Sequence, residues 1–247
     1  MMDRRDFLKR SGAAVAGASG VLSLPVLNAC GTEPAQAQSP LAGKKWGMII
    51  DLNRCREGCT ACMDACREEN NVAFHGDHRW DVHWIRKARL EPKDESAGLE
   101  EKEVILMCNQ CDDPPCAMVC PVQATYKRAD GIVLVDHHRC IGCRYCMIAC
   151  PYNARFFNWK ETPEWPNKDY PRRSHGVAES CHFCAHLLDG GGRPACVEAC
   201  EAAGQRALIF GDLNDPGSEV ARLVKEGGAK RIREDWGTQP KVYYLGL

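Results

Sequence analysis

The sequence predicts an α+β fold of two small modules, one inserted in the other, with short β-hairpins and loop-rich spacers. Three observations predict it. The chain holds 17 cysteines in 247 residues, far more than the packing role of cysteine as a small hydrophobe explains. Setting Cys30 aside, they fall without remainder into four local quartets: Cys55, Cys59, Cys62 and Cys66; Cys108, Cys111, Cys116 and Cys120; Cys140, Cys143, Cys146 and Cys150; Cys181, Cys184, Cys196 and Cys200. Between the second and third quartets, Asp130-Gly131 separates two β-type runs, which is a strong hairpin signal.

Composition narrows the class. Charged residues make up 26% of the chain and the mean hydropathy is −0.39, which excludes a protein made mostly of membrane spans. With 32 Lys+Arg against 33 Asp+Glu there is no electrostatic case for a nucleic-acid binder. The sequence has no G-x-G-x-x-G, no phosphate-binding loop and no Ser/His/Asp signature, so nothing supports a nucleotide site or an acid–base active site.

The first forty residues read as an address. Met1 to Arg10, MMDRRDFLKR, resembles the twin-arginine export signal around Arg4 and Arg5, with Asp3 in place of the usual Ser. A mild apolar run follows, from Ser11 to Ala29, broken at Pro25. Twin-arginine export carries folded proteins, and thiolate clusters must be assembled where thiols stay reduced. The leader and the cysteine count therefore support each other, and both indicate the periplasmic side. Three fates of the segment stay open: lipidation at Cys30 within Leu27-Asn28-Ala29-Cys30, ordinary cleavage after Ala35-Gln36-Ala37, or retention as an anchor.

Spacing identifies the metal chemistry. The third quartet, followed by Pro151, is the C-x2-C-x2-C-x3-C-P run of bacterial ferredoxins, in which three cysteines wrap one four-iron cube and the fourth reaches its neighbour. That fourth cysteine is expected at the start of a helix pointing away. The fourth quartet, as pairs 181/184 and 196/200, would pass for zinc in isolation; the second and third would not. Disulfides between C-x2-C neighbours rarely reach good geometry. The expected cofactors are four [4Fe-4S] clusters. The first quartet departs from the pattern, with Arg56-Glu57-Gly58 where two residues are usual; Gly58 can take φ > 0 and absorb the extra residue.

The two-cluster rule then predicts crossed ligation. Residues 105–157 form a complete inner unit, with Cys108, Cys111, Cys116 and Cys150 on one cluster and Cys120, Cys140, Cys143 and Cys146 on the other. The outer unit, residues 45–104 with 158–247, places Cys55, Cys59, Cys62 and Cys200 on one cluster and Cys66, Cys181, Cys184 and Cys196 on the other. Residues 1–37 are the signal and linker segment. Each cluster adds roughly two negative charges, and Arg54, Arg139 and Arg144 are the candidates to offset them.

The remaining elements follow in order. The spacer from Arg67 to Met107 carries Trp80 and Trp84; that from Pro151 to Ser180 carries Phe156, Phe157, Trp159 and Trp165. Ala207 to Phe210 reads as a strand. Asp215-Pro216-Gly217-Ser218 is a turn, with Ser218 as the candidate N-cap of a helix over 219–225, and Val242 to Leu245 is a last strand. His137, His138, His182 and His186 flank the quartets. With sixteen thiolates for sixteen sites, they read as surface or hydrogen-bonding residues rather than ligands.

The quartets and the text around them, Cys108-Asn109-Gln110-Cys111, Asp130-Gly131-Ile132-Val133 and Arg139-Cys140-Ile141-Gly142-Cys143-Arg144-Tyr145-Cys146, resemble a known family. These are the four-cluster ferredoxin-like electron-transfer subunits of dimethyl sulfoxide, polysulfide and tetrathionate reductases and of formate-dependent nitrite reductase. Cys55 to Cys62 with the twin-arginine leader is similar to the periplasmic subunit of the transmembrane complex associated with dissimilatory sulfite reductase. The resemblance implies two partners: a multi-span membrane subunit that exchanges electrons with quinone, and a multihaem cytochrome or molybdopterin catalytic subunit. It implies electron relay, with no active site of the chain's own.

Overall fold

Strand β1 (Trp46–Asp51) is the middle of a three-stranded sheet because both of its faces are apolar. It pairs antiparallel with β8 (Leu208–Asp212) in the register Met48↔Phe210, and parallel with β9 (Val242–Leu245) in the register Met48↔Val242. Successive side chains alternate across a strand. Met48 and Ile50 accordingly enter the main core, and Ile49 enters a second cluster with Ile209, Val220 and Tyr243. That second cluster is closed by helix α6 (Glu219–Lys225). The computed structural model describes residues 43–90, 101–162 and 165–247, and the described residues belong to a single unit. The export signal, Cys30 and both cleavage motifs lie outside the described residues.

The remaining elements are small, in keeping with the α+β expectation. β2 (Ile85–Leu90) and β3 (Lys102–Met107) form an antiparallel hairpin that delivers the chain to Cys108. β4 (Thr125–Lys127) and β5 (Val133–Val135) form the hairpin read from Asp130-Gly131, with Gly131 at φ +80°. β6 (Phe156–Phe157) and β7 (Ala178–Glu179) pair antiparallel across the aromatic spacer. The helices are α1 (Ala61–Glu69), α2 (Pro115–Met118), α3 (Tyr145–Ala149), α4 (Ala185–Asp189) and α5 (Ala195–Ala202). No helix among the described residues is long and apolar enough to cross a membrane.

Two expectations are corrected in detail. Cys150 does not start a helix: it follows the last residue of α3, at ψ 112°. Cys120 likewise follows α2. A residue before proline is pushed out of the α region, so Pro151 stops α3 at Cys150, while α2 has already ended at Met118, two residues before Cys120. No proline follows Cys66 or Cys200. There the helices run on, and α1 and α5 each carry two cysteines four apart on one face, Cys62/Cys66 and Cys196/Cys200, all buried. These two helices pack on each other. Ser218 does occupy the N-cap position of α6, but its side chain makes no capping hydrogen bond.

The C-terminal stretch ties the sheet to the segment after β3. Lys241 N–H donates to Asn109 O at 2.9 Å, and Asp112 N–H donates to Gln239 O at 2.9 Å. The Lys241 side chain is 1% exposed and donates to Gly131 O at 2.5 Å.

Candidate metal centres

All sixteen cysteines outside the leader are free thiols, and they gather into groups. Burial, together with the charges of Cys200, Cys55 and Cys59, pushes the Cys62 thiol up to about 12. So α1 and α5 bring Cys200 to the first three cysteines of the first quartet. Burial holds Cys196 well above the ordinary range, and Cys184, Cys66 and Cys181 add to it. Burial, with the charges of Cys108, Cys116 and Cys150, raises Cys111 to about 12. Cys146 is raised to about 11 by burial, against the pull of Arg155, with Cys116, Cys140 and Cys143 adding to the rise. Cys120 differs: burial raises it, but the N–H groups of Thr125, Val122 and Ala124 outweigh burial and lower it.

The groups also touch in a definite order. Cys62 and Cys66 are one helical turn apart on α1, and Cys62 acts on Cys66 and Cys196 of the second group. Cys108 acts on Cys181, and Cys116 acts on Cys146. The row therefore runs from the Cys55 end through the Cys66 and Cys108 groups to the Cys143 end. Burial follows the row. Cys66, Cys181, Cys184 and Cys196 are all buried, whereas Cys55 and Cys59 at one end are half-buried and Cys143 at the other is exposed.

The donor set fits iron–sulfur clusters. Among the described residues no three His, Cys, Asp or Glu side chains converge on one point as the shell of a single metal ion. A structural zinc closes four ligands around one ion at about 2.3 Å. In a cubane each thiolate takes a separate iron, so four complete cysteine quartets match four clusters. Buried thiols with raised pKa values also give up their protons only against a bound cationic centre.

Local structure presents the sulfurs. The extra residue of the first quartet becomes a turn, in which Cys59 N–H donates to Arg56 O at 3.2 Å and Gly58 sits at φ +71°. Glu103 accepts the Gly58 N–H at 3.3 Å and Lys87 Nζ at 2.5 Å, so the β2–β3 hairpin clasps the turn. Backbone N–H groups reach sulfur at Thr125 to Cys120 (3.4 Å), Ala154 to Cys150 (3.4 Å) and Ala207 to Cys200 (3.2 Å). The loop around Cys143 depends on Gly142, at φ +70°: a Cβ there would stand 2.5 Å from Gly176 O.

The charge-balancing residues differ from the expectation. Arg54 is 52% exposed on its ion pair with Asp51, and Arg139 is exposed. Arg144 lies over the Phe157 and Trp159 rings. The cations that act on the thiols are Lys87 on Cys55 and Cys62, Arg173 on Cys66 and Cys184, and Arg155 on Cys108 and Cys146. Lys87 lies far from any quartet in sequence; Arg173 precedes Cys181 by eight residues and Arg155 follows Cys150 by five, neither in a motif. Two amides also lack a sequence signal. Asn70 Nδ2 donates to Cys184 Sγ at 3.4 Å. Gln110 is fully buried at φ +47°, and its Nε2 donates to Cys181 O at 2.7 Å.

The histidines hydrogen-bond or lie at the surface. Ala185 N–H donates to His182 Nδ1 at 3.1 Å, so the neutral ring carries its proton on Nε2, 3.2 Å from the Tyr170 hydroxyl. His186 Nε2 is 2.8 Å from Glu69 Oε1. His138 is exposed, and burial with the charge of Arg173 holds His137 down to about 4.

Comparison with known proteins agrees with this geometry. The family model of the 4Fe-4S dicluster domain matches residues 104–165. The chain is 39% identical, over 100% of its length and 99% of the relative's, to Hdr-like menaquinol oxidoreductase iron-sulfur subunit 1 of Archaeoglobus fulgidus. It is 39% identical to a tetrathionate reductase subunit of Salmonella typhimurium, over 99% of this chain and 88% of that one. It is 40% identical to the menaquinone reductase iron-sulfur cluster-binding subunit of Nitratidesulfovibrio vulgaris, over 81% of this chain and 88% of that one. Four cysteine quartets, a dicluster domain across the middle two and full-length similarity to such subunits make the chain a member of the family of four-cluster 4Fe-4S electron-transfer subunits.

Proposed function

We propose that the chain relays electrons on the periplasmic side between a quinone-interacting membrane subunit and a second redox protein. The observation that carries this is the row of four thiol groups, buried in the middle except for a half-buried Cys150 and opening toward the surface at Cys55, Cys59 and Cys143. A protein that turned over substrate at one cluster would need an open iron, and every quartet is complete.

The crossed sets assigned from the sequence are the cluster ligands in this reading: Cys55/Cys59/Cys62/Cys200, Cys66/Cys181/Cys184/Cys196, Cys108/Cys111/Cys116/Cys150 and Cys120/Cys140/Cys143/Cys146. The neighbour relations of the thiols support them. The packing of α1 on α5 supports an outer module, 45–104 with 158–247, into which 105–157 is inserted. When bound, the clusters supply one-electron chemistry. The chain's own residues hold them apart from water, donate N–H groups to sulfur and place buried cations beside them.

The exposed end is shaped for a partner. Around Cys143, Ile148 is 84%, Met118 73% and Ile141 65% exposed, with Tyr145 beside them. An apolar rim at an electron exit suits the membrane subunit. The opposite end then meets a multihaem cytochrome. The relatives named as menaquinol oxidoreductase and menaquinone reductase subunits favour the quinone side of this reading. The likeness to the tetrathionate reductase subunit favours a molybdopterin catalytic subunit as the alternative second partner. Folded export through Arg4 and Arg5 accounts for how a cluster-loaded chain reaches that side.

Anaerobic spectroscopy tests the relay. The isolated chain is expected to be reduced by dithionite but not by a menaquinol analogue, and the chain co-purified with its membrane subunit to be bleached by that quinol. Steady conversion of a sulfur or nitrogen compound by the isolated chain, or quinol oxidation without the membrane subunit, contradicts it.

A further inference from the structure

The two inner groups of thiols share one buried cation. Arg155 is 3% exposed, and its Nη2 donates to Cys116 Sγ at 3.0 Å. Its charge also acts on Cys108 and, across the group boundary, on Cys146. Cys108 and Cys116 belong to the group closed by Cys150; Cys146 belongs to the group with Cys120. Among the described residues no carboxylate pairs with Arg155, and its buried Nη1 has no hydrogen-bond partner. The other cations beside the thiols each act within one group: Lys87 on the Cys55 group, Arg173 on the Cys66 group and the half-buried Arg86 on Cys150.

A lone buried guanidinium costs several kcal/mol unless an anion compensates it. With no carboxylate at hand, the compensating charge must lie on the sulfur side, and it lies on both groups at once. A cation placed this way stabilises the more negative, reduced form of each neighbour. A hydrogen bond to sulfur does the same for the cluster that owns the sulfur.

We propose that Arg155 is the potential-setting residue of the inner cluster pair, raising both reduction potentials through its charge and the Cys108-group potential further through its bond to Cys116. This rests on the reading that both inner groups hold [4Fe-4S] clusters. It makes the two clusters of the inner pair unequal.

The test uses the full chain purified anaerobically as wild type, Arg155→Lys and Arg155→Gln, with iron content measured first and each midpoint then followed by electron paramagnetic resonance. Wild-type protein lacking the iron of the inner pair would overturn the cluster reading rather than the role of Arg155. At full iron, Arg155→Gln is expected to lower two midpoints of the four by at least tenfold in the reduction equilibrium, about 59 mV for one electron, and to leave the outer two unchanged. Arg155→Lys keeps the charge and loses the fork, so it is expected to lower one midpoint only and by less. Unchanged midpoints at full iron, or an equal fall in all four, overturns the proposal. If Arg155→Gln loads poorly, Arg155→Lys decides by the same criterion. Loss of iron in both variants also overturns it, because Arg155 would then hold the loop rather than set a potential.

Discussion

Single residues decide whether the sulfurs can be presented at all. Gly142 and Gly176 make the point as a pair. Both take positive φ, but a Cβ at Gly142 would strike Gly176 O at 2.5 Å, whereas one at Gly176 meets nothing within 4 Å. Gly142→Ala is expected to lose iron from the Cys140 end of the row. Gly176→Ala is expected to cost only the left-handed strain of about 1–2 kcal/mol and to keep its iron, as iron assay and urea titration will report. His137 sets a pH dependence. Its pKa falls from 6.5 to about 4 because burial and Arg173 disfavour its charge. The unfolded chain then binds the proton more readily, so the stability is complete above pH 6.5 and is lost as pH falls toward 4. The difference reaches roughly 2 kcal/mol at pH 5. His137→Asn is expected to flatten the fall in urea midpoint between pH 7 and pH 5; an unchanged slope would show that His137 is not the group responsible.

At the level of elements, the sequence was most legible where a local rule acts alone. Asp130-Gly131 announced the β4–β5 hairpin, and Asp215 to Ser218 announced the start of α6. The proline after Cys150 ends the helix before it, whereas the expectation placed the fourth cysteine at a helix start. The central strand β1 and the β2–β3 hairpin passed unread: their pairing partners lie across the chain or beyond a long connection, and no turn dipeptide marks them. The same limit hid Gln110, which sits between Cys108 and Cys111. Its amide accepts Val133 N–H at 2.6 Å and donates to Cys181 O at 2.7 Å, contacts that exist only once the β4–β5 hairpin and the fourth quartet have been brought to it. Gln110→Ala leaves a buried N–H and a buried carbonyl unpaired. It is expected to cost about 2–4 kcal/mol, seen as a lower urea midpoint at unchanged slope; a change below about 0.5 kcal/mol would show that the bridge is not formed.

For the whole molecule, the cysteine pattern was readable because ligand spacing is local, while the order of the groups was not, because it depends on which sulfurs meet across modules. Cys62 with Cys66, Cys181 with Cys108, and Cys116 with Cys146 set that order. The cations followed the same rule: the arginines nearest the cysteines in sequence turned outward, and those nearest in space came from β2, from the aromatic spacer and from the stretch after Cys150. The apolar rim at the Cys143 end gives a further expectation. Ile141→Ser with Ile148→Ser should leave iron content intact and weaken co-purification with the membrane subunit about tenfold or more, roughly 1.4 kcal/mol; undiminished association would place the membrane subunit elsewhere. The central claim is that sixteen thiols in four complete groups hold four cubane clusters, and iron with acid-labile sulfide per chain measures it most directly. Anaerobically purified protein is expected to hold about sixteen of each; about twelve would mean that the group containing the three-residue Cys55–Cys59 spacing is empty, and bound zinc without labile sulfide would contradict the account.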